Sequence, residues 1–532
     1  MTMVRTALTA LLLLIFAASL AFAGGRAEEG GQETGALETT GETLVPEPYP
    51  IAFDGTLTWW GRYGEWTPTG YADINDVPFV EALRERTGVN VVFQAPVGNR
   101  NEAFNLMMAA RDYPDIIEYG MSGYPGGYDR AISDGVIVPL DELEPHIPAV
   151  MRYIEGDPNI ARAIRTPGGH LGSFPLLKLD ERLFYVGGPA MRGDWLEELG
   201  LDVPTTIDEW EEVLTAFQEI EGVTAPISGR PGDVFGTNAQ FAGAFGEKRW
   251  FYVEDDQIVF GGIRPGYRDF LAKFRDWYAK GLIDPNFASI DRNTENANIL
   301  TGRSGAVFST GMSGGLASWN SEENRIDDPD FSIIPVPYPS LEEGGRPKFG
   351  SYGDIAAHRV QITTDAADTI AAARLLDYGY TDEGNLLYTF GIEGKSFENV
   401  DGMPRFIDES NWLGEVIAMY TRFTNAPTIA SADAYIQSVA VPQASNAMEV
   451  WSLTEAADHY IPRGVAPLPE EAREWSSLAG DISTYTMEMS YKFIMGVEDL
   501  SGWDAYVEQV EALGVERATE ILQNGYDAYM GF

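Results

Sequence analysis

A chain of 532 residues is too long for one hydrophobic core, which stops growing at roughly 250–300 residues, so two lobes are expected. The formal net charge of −45, from 81 acidic against 36 basic residues, excludes nucleic acid and anionic membranes as partners, because such a surface repels both. The absence of cysteine excludes disulfides, thiolate nucleophiles, thiolate metal sites and a thioether lipid anchor.

Residues 7–18 are an apolar run behind Arg5, and Ala21-Phe22-Ala23 is a small-x-small cleavage site. Residues 1–23 therefore read as a signal peptide, with the mature chain starting at Gly24. The run is shorter than the roughly 20 residues that span a bilayer. The expected location is the periplasm, free of a lipid anchor. Residues 24–50 are rich in Gly, Glu, Thr and Pro without apolar periodicity, and read as a disordered tether.

From residue 51 the pattern becomes regular. Strands are predicted at residues 56–60, 89–94 and 115–119, alternating with helices at 77–87 and 101–111. Pro78 lies in the first turn of the first helix and Gly88 just past its end. This rhythm predicts an α/β fold with a parallel, doubly wound sheet, whose ligand sits beyond the carboxyl ends of the strands. Residues 132–143 form a turn-rich connection, followed by short strands at 171–176 and 183–186 and a helix at 194–199. Thr206 and Glu209 form a capping signal for a helix at 210–220. Further helices are predicted at 267–280, 364–379 and 382–390, and strands at 307–309 and 331–336. From Asp408 onward the chain is mostly helical.

Aromatic residues crowd the predicted strand ends. Trp59, Trp60, Tyr63 and Trp66 interleave with Arg62 and Glu65, and Tyr119, Tyr124 and Tyr128 follow the third strand among glycines. Aromatic planes cover the apolar faces of sugars, while Arg and carboxylates bond their hydroxyls. Because Trp59 and Trp60 alternate, one of them faces a core, and Trp60 is expected to face the cleft. Tyr352 and Asp354 sit at a candidate lobe crossover, and Trp250 follows the basic Arg249.

Catalytic alternatives are weaker. Gly311-Met312-Ser313-Gly314-Gly315 fits the G-x-S-x-G nucleophile elbow, with Asp354, His358 and His459 downstream. A Gly-rich turn of that kind also lets a helix N-terminus approach a ligand. The four histidines share no metal spacing. Asp291 opens a calcium-loop-like run, but Asn296 and Gly302 stand where Gly and Glu are needed. No metal, cofactor or catalytic residue is expected.

Several segments resemble the family 1 extracellular solute-binding proteins of bacterial ABC transporters, in the larger subgroup with oligosaccharide- and alginate-binding members. Residues 191–201 resemble that family's R-x-D-W-L-x-x-L-G-L, and residues 203–210 its V-P-x-T-x-x-E-W. Residues 377–384 and 388–394 resemble a helix-turn-helix ending in Y-G-I-E-G, and residues 501–507 a penultimate-helix start. The resemblance implies a type II periplasmic binding fold, each lobe a mostly parallel sheet flanked by helices, with extra C-terminal helices. It implies a monomer that closes on an oligosaccharide and delivers it to permease subunits, without catalysis.

On this reading lobe one comprises residues 51–172 and 352–401, lobe two residues 173–351, and residues 402–532 pack on both. Ser313 stands where sugar-binding relatives often place a stacking Trp, for which Trp319 would substitute. The expected ligand-binding residues are Trp60, Arg62, Tyr63, Tyr119, Arg192, Trp250, Trp319, Tyr352, Asp354 and Glu393. A binder of a peptide or an acidic oligosaccharide, and a secreted hydrolase using Ser313, stand as alternatives.

Overall fold

The computed structural model describes residues 47–63, 67–235, 241–325, 328–407, 413–423, 425, 427–439 and 441–531. The expected signal peptide, most of the expected tether, and Glu65 and Trp66 lie outside the described residues. The tether's last residues are docked. The Tyr49 hydroxyl donates to the Arg374 carbonyl at 2.6 Å, and its ring meets Tyr378 edge-on at 5.0 Å.

Among the described residues fourteen strands build the fold. In chain order they are β1 (Thr56–Gly61), β2 (Asn90–Gln94), β3 (Ile116–Glu118), β4 (Phe174–Leu177), β5 (Gly187–Arg192), β6 (Ile227–Ser228) and β7 (Phe251–Glu254). They continue with β8 (Gln257–Phe260), β9 (Ala306–Gly311), β10 (Ile333–Pro335), β11 (Ala356–Ile362), β12 (Phe397–Val400), β13 (Met403–Phe406) and β14 (Thr428–Ile429). One sheet has the order β14-β4-β11-β3-β1-β2 and a second has β10-β5-β9-β6. β7-β8 and β12-β13 are separate hairpins. Each large sheet carries its own buried core, which makes two lobes.

The first lobe follows the expected rhythm. β1 pairs in parallel with β2 and β3. Helix Pro78–Thr87 starts with Pro at its first turn and stops at Gly88, whose φ of +76° an L-residue rarely adopts. Side chains alternate across the strands, so Leu57 and Trp59 enter the main core while Trp60 and Ile117 enter a smaller cluster on the other face.

In the second lobe Met191, Ala306 and Phe308 face one helical layer, and Ala190 and Val307 face another. The first layer contains the helices Ile207–Gln218, Pro265–Ala279, Ala472–Ile494 and Val515–Met530. The Thr206 side chain and the Glu209 carboxylate form the reciprocal cap that opens Ile207–Gln218, worth about 1 kcal/mol.

The sheets are mixed rather than mostly parallel. β11 runs antiparallel to both β3 and β4, and β5 runs antiparallel to both β9 and β10. The reason is connectivity. The chain leaves the first sheet after β4, returns at β11, and leaves again after β14, so re-entering strands need not follow the right-handed crossover that keeps neighbours parallel. β4 thus belongs to the first sheet although it follows the expected boundary at residue 173, and β14 joins it from the C-terminal part.

Candidate functional site

A cavity of about 1240 Å³ opens beyond the end of β3, between the first lobe and the start of the C-terminal helices. Its near wall is built by three segments. After Glu118 the backbone turns through Gly126 and Gly127, with φ of +88° and +68°, into the helix Gly127–Ser133. Those left-handed conformations reverse the chain without a Cβ clash and present Tyr124, Tyr128, Asp129 and Arg130 at the opening. Asp129 accepts hydrogen bonds from the Thr166 hydroxyl and from Gly168 N–H at 2.8 Å, which ties the second segment, residues 163–167, to the first.

β11 supplies the third segment. Arg359 donates to the Ala163 carbonyl at 2.8 Å and to Ser173 Oγ at 3.4 Å, and its guanidinium lies 5.9 Å from the Tyr128 ring. The far wall is the Pro/Gly-rich run from Arg463 to Pro469 with Ala472 and Ser476. Gly464 fits under Tyr529, and a Cβ on Gly525 would fall 2.2 Å from the Ala466 carbonyl, so the helix Val515–Met530 seats this run by close approach.

A smaller cavity of about 300 Å³ adjoins it at Arg463. Trp250, Phe349, Tyr352, Tyr460 and Trp475 line it, with Lys248 and His459. Tyr352 stands edge-on to Tyr460 at 5.1 Å and to Tyr185 at 5.3 Å, and burial pushes its hydroxyl up to about 12. Burial lowers Lys248 to about 7. Its Nζ lies 5.1 Å from the Phe349 ring centroid. Asp354 grips Arg463 twice, accepting its backbone N–H at 3.1 Å and pairing with Nε at 2.8 Å. Asp354 thereby contacts the wall shared by both cavities.

Trp250, Tyr352 and Asp354 are thus brought together, Asp354 acting through Arg463. The other expected residues line neither cavity. Trp60 is 8 % exposed and packs with Phe104, Ile117 and Met121, because the segment that follows β3 folds back over it. Tyr63 is buried against Phe79 and Phe93. Tyr119 packs on Phe104 with ring centroids 4.4 Å apart and donates to Asn101 at 2.6 Å. Arg192 is buried between Trp195 and Phe331 and paired with Asp194 and Asp328, which makes it a packing residue of the second lobe. Trp319 is buried and donates to Asn296 at 3.0 Å. Arg62 and Glu393 are exposed.

Ser313 does sit after a strand, where β9 passes into a π-helical turn, Met312–Ala317. Its Oγ lies 3.5 Å from the Tyr435 hydroxyl. His459 instead engages the Val253 carbonyl through Nδ1 at 2.8 Å. Gly315 is required there because a Cβ would overlap Thr310 Oγ1. The calcium-like run at Asp291 is a helix start, with Asp291 accepting from Thr294 N–H at 2.8 Å.

Sequence reasoning missed Lys248, Arg359, Arg463, Tyr460 and Trp475. One signal was available: Arg463-Gly464 lies in a proline-bounded run inside an otherwise helical stretch, the composition of a binding loop.

No family model matches the chain. It is 22% identical over 500 residues to the fructooligosaccharide ABC transporter substrate-binding protein FusA of Streptococcus pneumoniae (strain TIGR4), covering 87% of this chain and 89% of that one. It is 26% identical over 354 residues to lipoprotein LipO of Bacillus subtilis (strain 168), covering 63% of this chain and 66% of LipO. In fold it matches the alginate-binding protein AlgQ2 with a TM-score of 0.71 at 21% identity, over 90% of this chain and all of that one.

Proposed function

We propose that this chain, one of the extracellular solute-binding proteins of ABC transporters, captures an oligosaccharide between its lobes and hands it to permease subunits. The observation that carries the reading is the cavity of about 1240 Å³, walled on one side by the first sheet and on the other by residues 463–476, which continue into the second lobe's core. The volume exceeds the few hundred Å³ that a single small ligand needs. Its wall sets two aromatic side chains, Tyr124 and Tyr128, beside hydrogen-bonding groups such as Asp129, Thr166 and Arg359, which suits a chain of sugar rings. FusA, similar over most of this chain, carries the name of a fructooligosaccharide-binding transporter component.

Contacts from both walls exist together only when the lobes are close, so ligand shifts the population toward the closed state. We further propose export through a cleaved signal peptide, release into the periplasm without a lipid anchor, and action as a monomer. Among the described residues no helix is long and apolar enough to cross a membrane. The reading assigns no catalytic role, and Ser313 has no described histidine contact to activate it.

The test is thermal-shift screening of the mature protein against oligosaccharides and peptides, followed by small-angle scattering with any hit. A sugar that raises the melting point and lowers the radius of gyration is expected. A response to peptides alone, or turnover of the bound sugar, would refute the reading.

A further inference from the structure

The lining of the two cavities has the opposite sign to the rest of the chain. The chain holds 81 acidic and 36 basic residues. The cavity walls hold Arg130, Arg165, Arg359, Arg463 and Lys248, with Asp129 as their one carboxylate. Asp129 is engaged by the Thr166 hydroxyl and Gly168 N–H.

Three of these cations are already neutralised. Arg130 pairs with Asp134 at 2.9 Å, Arg165 with Asp141 at 3.4 Å and Arg463 with Asp354 at 2.8 Å. Two are not. Among the described residues Arg359 bonds a carbonyl and a hydroxyl, and meets an aromatic face. Lys248 is 8 % exposed, and among the described residues its ammonium group makes no ion pair and lies against the Tyr252 and Phe349 rings. A buried cation without a counter-charge is costly, and an anion that enters beside it removes much of that cost. Lys248 and the half-buried Arg359, on adjoining cavities in a chain with seven lysines in all, mark places where a ligand supplies the negative charge.

We infer that the cleft selects an anionic oligosaccharide, whose carboxylate or sulfate groups pair with Arg359 in the large cavity and with Lys248 in the side cavity. The inference rests on the oligosaccharide reading above and names the ligand's charge. Arg359 is the bidentate partner, presenting a planar fork, and Lys248 is a point charge in an aromatic box. The acidic exterior then acts as a filter. It slows the approach of polyanions at low ionic strength, so affinity must come from these local pairs rather than from steering.

The experiment is isothermal titration of the mature protein with oligogalacturonates, hyaluronan oligomers and sulfated carrageenan oligomers, against neutral malto- and fructo-oligosaccharides of equal length. At least one charged series is expected to bind at least tenfold more tightly than every neutral one. Which charged series binds separates carboxylate from sulfate. Arg359→Gln and Lys248→Met are each expected to weaken that binding by roughly 10–100-fold, the scale of one charge-assisted hydrogen bond. Arg268→Gln, on an exposed helical position, is expected to leave it within twofold.

Tighter binding of neutral sugars by the wild-type protein would overturn the charge inference and leave the oligosaccharide reading intact, whether or not the variants fold. Binding of no sugar at all would overturn both. Charged-sugar binding untouched by both folded variants would overturn the assignment to Arg359 and Lys248.

Discussion

Glu118 ends β3 at the point where the chain turns to line the large cavity, and its Oε2 accepts from Arg422 Nη2 at 2.6 Å. The Arg422 side chain is wholly buried and that of Glu118 is 6 % exposed. The guanidinium lies 4.8, 4.3 and 5.1 Å from the rings of Trp59, Tyr63 and Phe93. The two residues are 304 positions apart, so the pair closes the C-terminal part onto the first sheet. At an effective dielectric near 20 the attraction is about 6 kcal/mol, most of which offsets desolvation of the two ions.

Removing one partner leaves that desolvation uncompensated. Glu118→Gln or Arg422→Met should therefore each cost about 3–5 kcal/mol. With an unfolding entropy near 2.1 cal/mol/K per residue, a folded body of roughly 490 residues loses about 1 K per kcal/mol, so each single change should lower Tm by about 3–5 K. The double variant should recover at least half of the summed loss, because neither group is then left charged and alone. Scanning calorimetry of the four proteins at one pH measures the cycle. Single variants within 1 K of the parent, or a strictly additive double variant, would refute the reasoning.

Glu295 is fully buried, meets Arg230 at 3.3 Å, and is pushed up to about 7, first by desolvation. Its folded pKa exceeds the unfolded value, so its contribution to stability is complete below about pH 4.5 and is lost as pH rises through about 7. Glu295→Gln should raise the unfolding free energy at pH 8, by at most about 3 kcal/mol, and not at pH 4.5; equal effects at both pH values would count against this. Gly525→Ala should cost about 1–3 kcal/mol and weaken sugar binding by displacing Ala466. Gly480→Ala, in helix Ala472–Ile494 with open space around it, should stabilise by about 0.5–1 kcal/mol. Both are read by urea titration, and equal signs would contradict the packing argument. With a net charge of −45, Tm should rise between low and molar NaCl as counter-ions screen self-repulsion, and a flat profile would exclude salt adaptation.

The first three strands were legible because hydrophobic alternation and helix stops agree there, residue by residue. β5 was not. Its Gly187-Gly188-Pro189 start has the composition of a turn, and residues 183–186, expected as a strand, instead contain the second half of a 3-10 turn, Glu181–Phe184, just before it. Gly188 is in β5 because the Trp451 ring occupies the place of a Cβ, at 2.3 Å, a constraint set 263 residues away. β11 was missed for a related reason: its Ala-Ala-His-Arg start carries no apolar period, and its place between β3 and β4 comes from tertiary pairing. Trp60 shows the limit for sites. Period-2 alternation correctly separates it from Trp59, but both faces of this sheet are covered, so leaving one core means entering another.

The cavity itself was illegible for a topological reason. Its near wall comes from residues 120–173 and 356–359, and its far wall from residues 463–476. The far wall runs into helix Ala472–Ile494, which buries Ile482, Phe493 and Ile494 in the second lobe's core. The near wall is anchored in the first sheet. Any change in spacing between the sheets therefore changes the width of the cavity. Among the described residues the contacts that oppose that change include the Asp354–Arg463 pair, the Tyr352–Tyr460 ring contact and the Arg162 guanidinium 5.8 Å from the Tyr529 ring. Arg463 is four-fifths exposed at its side chain, so its pair with Asp354 is weak and exchangeable.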